Sequence, residues 1–245
     1  MDWRVHHREV TESTNLDARG GAPGDVWTAD LQTAGRGRLD HRWLSAKGEN
    51  LMMSAVLDVA GVEAAEVATL PLVAGLAVAR AVCELLPQSA PRALVKWPND
   101  VLVGGRKLAG ILCQRDGDRV IAGIGVNVRE RAFAPEIAGR AVSLAMLAEG
   151  PVPEVAEVRD RVLASLASEY ARWREGGFGA IREDLAKIDA LRGSEIAVLQ
   201  TDADTEPIRG ICGGISSDGS LLVGGRPVYA GEAHVIGSSA VSAMR

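Results

Sequence analysis

The stretch KLAGILCQRDGDRVIAGIGVNV, residues 107–128, decides the fold of this chain. Residues 108–114 and 120–128 are apolar at most positions, and the Asp-Gly-Asp at 116–118 between them is a turn signal. Two apolar runs joined in this way predict a β-hairpin. Because both runs are apolar on both faces, we expect the two strands in the middle of a sheet.

Further strands and helices are predicted on both sides of this hairpin. The first helix begins at Ser13, Thr14 or Asn15, each of which suits a helix N-cap. Gly193 stands where the C-terminal cap of the last helix is expected. The strands are expected over residues 5–10, 26–31, 50–59, 93–96 and 101–103, and the helices over 12–19, 70–86, 154–173 and 178–190. This order is not a strict alternation of strand and helix, so an α+β fold with a mixed β-sheet flanked by helices is favoured over a Rossmann fold.

The pattern changes after residue 193 to short strands separated by frequent turns. These strands are expected over residues 196–199, 208–215, 221–223, 228–229 and 233–236. A run of about fifty such residues predicts a small β-barrel or sandwich at the C-terminus. We therefore divide the chain into a larger domain over residues 1–191 and a small β domain over residues 192–245.

Composition limits the classes of protein to which the chain can belong. The chain has 245 residues, 47% of them hydrophobic, and a net charge of −5, which argues against a general nucleic-acid-binding protein. No run of about 18 apolar residues occurs, so no membrane span is expected, and the N-terminus lacks the apolar core of a secretory signal. Cys83, Cys113 and Cys212 lie far apart without CxxC spacing, which predicts reduced core thiols in the cytoplasm and no metal site.

A glycine-interrupted basic loop, QTAGRGRLDHRW at residues 32–43, precedes the strand over 50–59. Glycine lets the backbone approach a ligand closely, and arginine supplies forked donors for phosphate or carboxylate oxygens. Arg36 and Arg38 therefore suit a mobile anion clamp. The alternative is a solvated surface loop, because short motifs also arise by chance.

Two further stretches place polar groups at strand ends. In KWPND, residues 96–100, proline stops the strand and leaves Asn99 and a carboxylate available to a ribose, a metal or a neighbouring loop. Lys107 stands at the mouth of the next strand, where the small Gly110 leaves space for a ligand. The two glycines inside the strand over 120–128 mark a bulge or a ligand pressed on the backbone. An ordinary turn and a solvated lysine remain the alternatives.

Together these pieces favour a ligand with an anionic end and an apolar body, used with a nucleotide. Joining a carboxylate to the α-phosphate of ATP brings together like charges, which repel by about 4 kcal/mol at 4 Å and an effective dielectric of 20. Arg36, Arg38 and Lys107, with Mg²⁺ on the phosphates, would offset this repulsion in the transition state. A loop that closes over the reactive acyl-adenylate would exclude water. The sequence contains no GxSxG elbow and no P-loop, which argues against a hydrolase and a P-loop enzyme.

At this point the sequence resembles the biotin protein ligases. The resemblance rests chiefly on KWPND at residues 96–100, KLAGIL at 107–112 and GIGVN at 123–127. The other matching positions, in the family's order, are STN at 13–15, Gln32, GRGR at 35–38, Trp43, Gly48, Asn50, Leu51 and Ser54. The matching part spans roughly residues 12–128.

The resemblance implies a reaction and a set of site residues. Biotin and Mg·ATP would give biotinyl-5′-AMP and pyrophosphate, and a lysine of a biotin carboxyl carrier domain would then take the biotinyl group. It also implies an SH3-like fold for the C-terminal module. The residues implied in catalysis are Lys107, Arg36 and Arg38. Those implied in biotin binding are Ser13, Thr14, Asn15, Gln32, Arg36, Gly37, Arg38, Lys107, Gly110 and Gly125. Those implied in nucleotide binding are Arg38, Trp43, Asn99, Lys107 and Asn127.

The sequence departs from the family pattern at two positions of the basic loop. Asp40 and His41 stand where the family loop usually continues with glycine and arginine. Asp40 adds a negative charge beside an anion site and His41 is a weaker cation near pH 7, so these two are doubtful ligands. The pattern begins by residue 12, from which we expect no helix-turn-helix domain, no repressor function and no DNA binding.

Three alternatives to a biotin ligase stay open. A lipoate or octanoate ligase or transferase has the same fold and takes a carboxylate-ended ligand of similar shape. A nucleic-acid-binding or regulatory module is a different class, which the acidic balance opposes. A non-catalytic biotin sensor would bind biotin without releasing pyrophosphate. The sequence identifies neither the carrier protein nor the oligomeric state, and a homodimer stays open.

Overall fold

The computed structural model describes residues 1–38, 42–200 and 205–236. Its larger sheet has seven strands: β1 (Arg4–Thr11), β2 (Asp25–Gln32), β3 (Leu51–Asp58), β4 (Ala93–Lys96), β5 (Asp100–Val103), β6 (Arg106–Asp116) and β7 (Arg119–Val126). Their order is β1-β2-β3-β7-β6-β5-β4. β1 and β2 are parallel and the other neighbours are antiparallel. The sheet is therefore mixed, and the predicted hairpin of β6 and β7 occupies its interior, because strands apolar on both faces must be covered on both sides.

Two long helices cover one face of this sheet. The helices of the described residues are α1 (Thr14–Asp17), α2 (Ala64–Val67), α3 (Leu70–Cys83), α4 (Leu144–Leu147), α5 (Val155–Gly176) and α6 (Gly179–Ala186). In α5, Val158, Val162, Leu166, Tyr170 and Trp173 are buried. Their spacing of three and four residues gives one apolar face, as predicted, and that face packs with α3 in the main hydrophobic core.

The C-terminal residues form a second, antiparallel sheet. Its strands are β8 (Glu195–Leu199), β9 (Ile208–Ile215), β10 (Leu221–Val223), β11 (Arg226–Val228) and β12 (Glu232–Val235), in the order β11-β10-β9-β8-β12. This sheet is consistent with the expected SH3-like module. Its Cys212 and Leu221 belong to the same hydrophobic core as the larger sheet, and Trp97 Nε1 donates a hydrogen bond of 3.1 Å to the carbonyl oxygen of Gly219. The domain boundary near residue 192 stays a prediction.

One edge strand of the larger sheet, β4, is hydrogen-bonded to another segment, whereas the other edge strand, β1, is exposed. Along β4, the amide of Val95 donates to the carbonyl oxygen of Ile188 at 2.7 Å, and the amide of Ala190 donates to the carbonyl oxygen of Val95 at 2.9 Å. β1 lies on the opposite edge, where seven of its eight residues are exposed. Within the described residues, β1 is thus the open edge of the sheet.

Several local predictions were wrong. Gly193 has a φ of 81° but lies beyond the last helix, which ends at Ala186 with Lys187 as its C-cap. The short helices α2 and α4 were missed, because a four-residue helix shows too little periodicity to detect. Ser13 occupies the N-cap position of α1, yet its side chain makes no capping hydrogen bond. Cys83 is exposed rather than in the core.

One helical segment, residues 64–83, is long and apolar enough to cross a membrane by length and composition. The sequence had predicted no such segment. In the fold, 72% of the apolar window is buried, as in a core helix of a globular protein.

Candidate functional site

The start of α1 is joined to the sheet by a network of buried polar side chains. Gln32, the last residue of β2, accepts hydrogen bonds through Oε1 from the amide (2.7 Å) and the hydroxyl (3.0 Å) of Thr14. Gln32 thus satisfies a helix N-terminal amide that the Ser13 side chain leaves free. The hydroxyl of Ser54 on β3 lies 2.7 Å from Thr14 Oγ1 and donates at 2.6 Å to Asn15 Oδ1. Thr14, Asn15 and Ser54 are all buried.

Asn15 lies directly over Gly123 of β7. A Cβ atom at position 123 would stand 2.1 Å from Asn15 Oδ1, so only glycine allows this approach. The Asn15 amide nitrogen donates to Gln114 Oε1 at 2.8 Å on the next strand. The strands show no register shift around Gly123. Of the two alternatives, a bulge is therefore not found at Gly123, and the side chain of Asn15 packs against the backbone there.

A row of paired residues crosses the sheet beside this network. Met52 pairs with Gly125, Gly125 with Gly110, Gly110 with Asp100, and Asp100 with Lys96. Paired residues point to the same face of a sheet, and this is the face of Ser54 and Gly123. Along the strands, this row is two residues, or about 7 Å, away from Ser54 and Gly123. The two glycines of the row remove side chains from its centre.

The indole of Trp43 packs on this pair of glycines. A Cβ atom would stand 2.6 Å from Trp43 Cε2 at Gly125 and 3.2 Å from Trp43 Cζ3 at Gly110. The Trp43 amide donates to the carbonyl oxygen of Gly35 at 3.0 Å, and this bond brings together the two ends of the basic loop. Trp43 Nε1 is buried without a hydrogen-bond partner among the described residues. The loop is therefore anchored to the glycine floor by an aromatic ring.

Lys107 reaches the same face through a register shift. Lys107 and Gly110 are three residues apart, which in a regular strand would place their side chains on opposite faces. The pairing of β5 with β6 shifts between Val101 and Leu102. The Lys107 side chain consequently lies across Gly110, where a Cβ atom would stand 3.1 Å from Lys107 Cε.

The Lys107 ammonium group sits between an anion and an aromatic ring. Its Nζ is 2.7 Å from Asp100 Oδ1 and 5.9 Å from the centroid of the Trp43 ring. Both distances fall within the range for favourable electrostatic contact. The half-exposed ammonium group remains able to take an anionic ligand in addition to Asp100.

Arg38 joins this group from the basic loop, whereas Arg36 does not. Arg38 Nη1 lies 3.4 Å from Asn99 Oδ1 and 3.3 Å from the carbonyl oxygen of Gly231 in the second sheet. Burial lowers the pKa of Arg38, and the nearby Glu232 and then Asp100 oppose this shift. The Arg36 side chain is exposed, and its backbone forms a bridge with Arg42.

Lys96 lies at the site as well, although it was not among the predicted site residues. Burial lowers the pKa of Lys96, Asp100 opposes the shift, and Lys107 adds to it. Among the described residues, the Lys96 side chain makes no hydrogen bond and no ion pair, although its backbone pairs with Asp100. Its place opposite Asp100 in the β4–β5 pairing follows from strand register, which KWPND itself could have indicated. The charged groups collected here are four cations and two carboxylates: Arg38, Lys96, Lys107, Arg140, Asp100 and Glu232.

Asn127 supports the site from within the protein. Its amide nitrogen donates to the carbonyl oxygens of Lys107 at 3.3 Å and of Val142 at 3.1 Å. The segment at Ala141 also forms a parallel bridge with Lys107. Asn127 is buried, so its observed contacts fix the backbone that carries Lys107.

The structure thus brings most of the predicted residues to one face of the sheet in two adjacent groups. The first group is Thr14, Asn15 and Gln32, with Ser13 at the start of α1. The second is Arg38, Trp43, Asn99, Lys107, Gly110 and Gly125. Gly37 lies between Arg36, which is exposed, and Arg38, which is partly buried. Asp40 and His41 lie outside the described residues. The roles of all these residues toward ligands stay predictions.

Comparison with known proteins gives concordant results. A model of the biotin/lipoate A/B protein ligase family matches residues 9–129. A biotin–[acetyl-CoA-carboxylase] ligase of Mycobacterium tuberculosis is 33% identical over 92% of this chain and 86% of its own length. A Paracoccus denitrificans protein of the same name is 36% identical over 88% of this chain and 92% of its own. A biotin protein ligase structure from Aquifex aeolicus, with biotin and ATP, superposes with a TM-score of 0.81 at 29% identity, covering 94% of this chain and 97% of that one.

The fold is that of a ligase catalytic domain with a C-terminal β module. The chain belongs to the biotin/lipoate A/B protein ligase family, on its biotin protein ligase branch.

Proposed function

We propose that this chain is an ATP-dependent biotin ligase that forms biotinyl-5′-AMP and transfers the biotinyl group to a lysine of a biotin carboxyl carrier domain. One observation carries the proposal. Lys107 and Arg38 come from distant segments and contact two neighbouring residues of the sheet, Asp100 at 2.7 Å and Asn99 at 3.4 Å, beside the face that Gly110 and Gly125 leave free of side chains. A carboxylate and a phosphate need such fixed cations in order to approach each other.

The two adjacent groups suggest how the substrate is oriented. The polar network of Thr14, Gln32 and Ser54 offers hydroxyl and amide groups suited to the uncharged ureido end of biotin. Lys107, about 7 Å further along the sheet, would hold the biotin carboxylate and the α-phosphate together. The carboxylate oxygen attacks the α-phosphorus, and the bond from that phosphorus to the bridging oxygen breaks. Trp43 and Asn99 would line the nucleotide side.

Mg²⁺ enters as part of the nucleotide substrate. Among the described residues, no group of three or more His, Cys, Asp and Glu side chains could hold a metal ion. Mg²⁺ commonly uses one or two carboxylates together with substrate phosphates. Asp100, which lies beside Lys107, would supply one such carboxylate ligand to the Mg²⁺ of the bound nucleotide.

The carrier and the cellular setting are further parts of the proposal. The exposed edge strand β1 offers unpaired backbone groups for a partner, which suits either the carrier domain or a second copy in a homodimer. We propose a cytoplasmic enzyme without membrane attachment and without nucleic-acid binding, in keeping with its acidic net charge of −5. Sedimentation with and without duplex DNA and carrier tests these partners together.

The decisive experiment is incubation of the chain with ATP, Mg²⁺, biotin and a carrier domain, followed by mass spectrometry of the carrier. We expect a mass gain of one biotinyl group on one lysine. Matched reactions with lipoate or octanoate test the alternative ligases, and release of pyrophosphate tests the non-catalytic sensor. Modification with lipoate but not with biotin would refute the proposal.

A further inference from the structure

Asn50 is a buried polar side chain that the mechanism above does not use. It lies directly before β3 and is 1% exposed. Its amide oxygen accepts a hydrogen bond of 2.8 Å from the backbone amide of Val128. Its amide nitrogen donates at 3.0 Å to Ser45 Oγ and at 3.0 Å to Glu130 Oε2. Both donor hydrogens and the acceptor oxygen of this carboxamide thus have a partner.

The direction of these three hydrogen bonds follows from the partners. The backbone amide of Val128 can only donate, so the oxygen of Asn50 faces Val128 and its nitrogen faces Ser45 and Glu130. The Ser45 hydroxyl already donates its single proton to the carbonyl oxygen of Ala46 at 2.9 Å, so Ser45 accepts from Asn50. A carboxylate at position 50 would have no donor for either partner, which makes the carboxamide specific to this place.

One arm of this network leads to Trp43. Ser45 lies two residues after Trp43, whose indole packs on Gly125. The Trp43 amide also holds the other end of the basic loop, through the carbonyl oxygen of Gly35 at 3.0 Å. The hydrogen bond from Asn50 to Ser45 therefore fixes the C-terminal end of the basic loop to the start of β3.

The other arm leads to Lys107. Val128 follows Asn127, whose side chain donates to the carbonyl oxygen of Lys107 at 3.3 Å. The backbone amide of Asn127 also donates to the carbonyl oxygen of Leu108 at 2.9 Å. The same strand end is held from its other side by the buried hydroxyl of Ser143, which donates to the carbonyl oxygen of residue 130. The two arms meet at the side chain of Asn50.

We propose that Asn50 is a positioning residue for adenylate formation, which sets Trp43 in place relative to Lys107. This inference rests on the proposed ligase function, in which Trp43 lines the nucleotide side and Lys107 holds the reacting groups. Reacting groups must be held in a narrow geometry, and a small misplacement lowers the rate strongly. Loss of the Ser45 arm alone affects the nucleotide side, whereas loss of Asn50 affects both the nucleotide side and the reacting groups.

The test compares Ser45→Ala and Asn50→Ala with the parent chain in biotin-dependent ATP–pyrophosphate exchange. Ser45→Ala is expected to raise the KM for ATP about fivefold, as for the loss of one neutral hydrogen bond, with kcat close to that of the parent. Asn50→Ala is expected to raise this KM and also to lower kcat about tenfold, because buried partners lose their hydrogen bonds. Ser45→Thr keeps the hydroxyl group and should restore the parent KM. In the ligand-free chain, trypsin should cut faster after the exposed Arg42 in Ser45→Ala, because that end of the loop is released.

Ser165→Ala is the matched control, because Ser165 is half-buried like Ser45 but lies on α5. It should keep the parent KM and the parent rate of cleavage at Arg42, and thermal melting checks the folding of every variant. If Asn50→Ala does not fold, Ser45→Ala decides the question alone. An unchanged KM for ATP in Ser45→Ala, whatever its melting temperature, would overturn the inference. A parent chain without exchange activity would instead refute the ligase function, and unchanged cleavage at Arg42 would then still overturn the link between Asn50 and the basic loop.

Discussion

The Lys107 ammonium group lies 2.7 Å from the Asp100 carboxylate, although the two residues enter the site from neighbouring strands of shifted register. The pair gives Lys107 a fixed position over Gly110. Among the described residues a single carboxylate pairs with it, and its side chain is 40% exposed, so Lys107 can still bind anionic substrates. This relationship makes Lys107 the centre of the predicted chemistry.

We expect Lys107→Ala to lower the rate of biotinyl-5′-AMP formation by at least about a hundredfold, because a preorganised cation at the reacting groups is lost. The fold should remain, since Lys107 is partly exposed. Biotin-dependent ATP–pyrophosphate exchange measures the rate. Lys187→Ala is the matched control, because Lys187 is exposed and pairs with Asp184 on α6, away from the site. Exchange near the parent rate in Lys107→Ala would remove Lys107 from the mechanism.

We expect Gly123→Ala to lower the free energy of unfolding by about 1–3 kcal/mol, because the added methyl group would overpack the site. The new Cβ atom would stand 2.1 Å from Asn15 Oδ1 and would displace Asn15 from Ser54. Urea denaturation measures the change. A matched variant is Gly139→Ala, where a Cβ atom meets nothing within 4 Å. Equal denaturation midpoints for the two variants would show that the close contact between Asn15 and Gly123 does not affect the free energy of unfolding.

We expect trypsin to cut at Arg36 or Arg38 and to cut more slowly when biotin and Mg·ATP are present. Arg36 is exposed, and a loop that closes over the adenylate would protect this segment. Peptide mass spectrometry over time measures the rate at each site. Cleavage at Arg131, which is exposed in another segment, provides an internal control. Identical rates at Arg36 and Arg38 with and without ligands would argue against a closing loop.

We expect iodoacetamide at pH 8 to modify Cys83 and to leave Cys113 and Cys212 largely unmodified. Cys83 is exposed and Cys212 is buried. Burial raises the pKa of Cys113 to about 12, so only about one molecule in ten thousand carries the reactive thiolate at pH 8. Mass spectrometry of the labelled peptides measures the modification. All three cysteines should react in denaturing urea, and rapid labelling of Cys113 in the folded chain would contradict its observed environment.

Features that follow from neighbouring residues in the sequence were predicted correctly, whereas contacts between distant segments were not. The hairpin of β6 and β7, the face of α5 and the strand end at KWPND follow from local patterns of apolar residues and turns. Gly123 and Gly125 were recognised as unusual, but their neighbours were not. Asn15 and Trp43 press on these glycines from distant parts of the chain, and no local pattern encodes such a contact.

The sequence by itself determined the mixed α+β architecture, the small β module and the family, because hydrophobic periodicity and motif order are properties of the chain. Only the tertiary structure decided which groups meet. A register shift at Val101 turns Lys107 to the side of Gly110, the β4–β5 pairing sets Lys96 opposite Asp100, and the residue before β12, Gly231, accepts a hydrogen bond from Arg38. Strand register and sheet packing depend on the burial of the whole core, and a slip of one residue would turn each of these side chains to the other face.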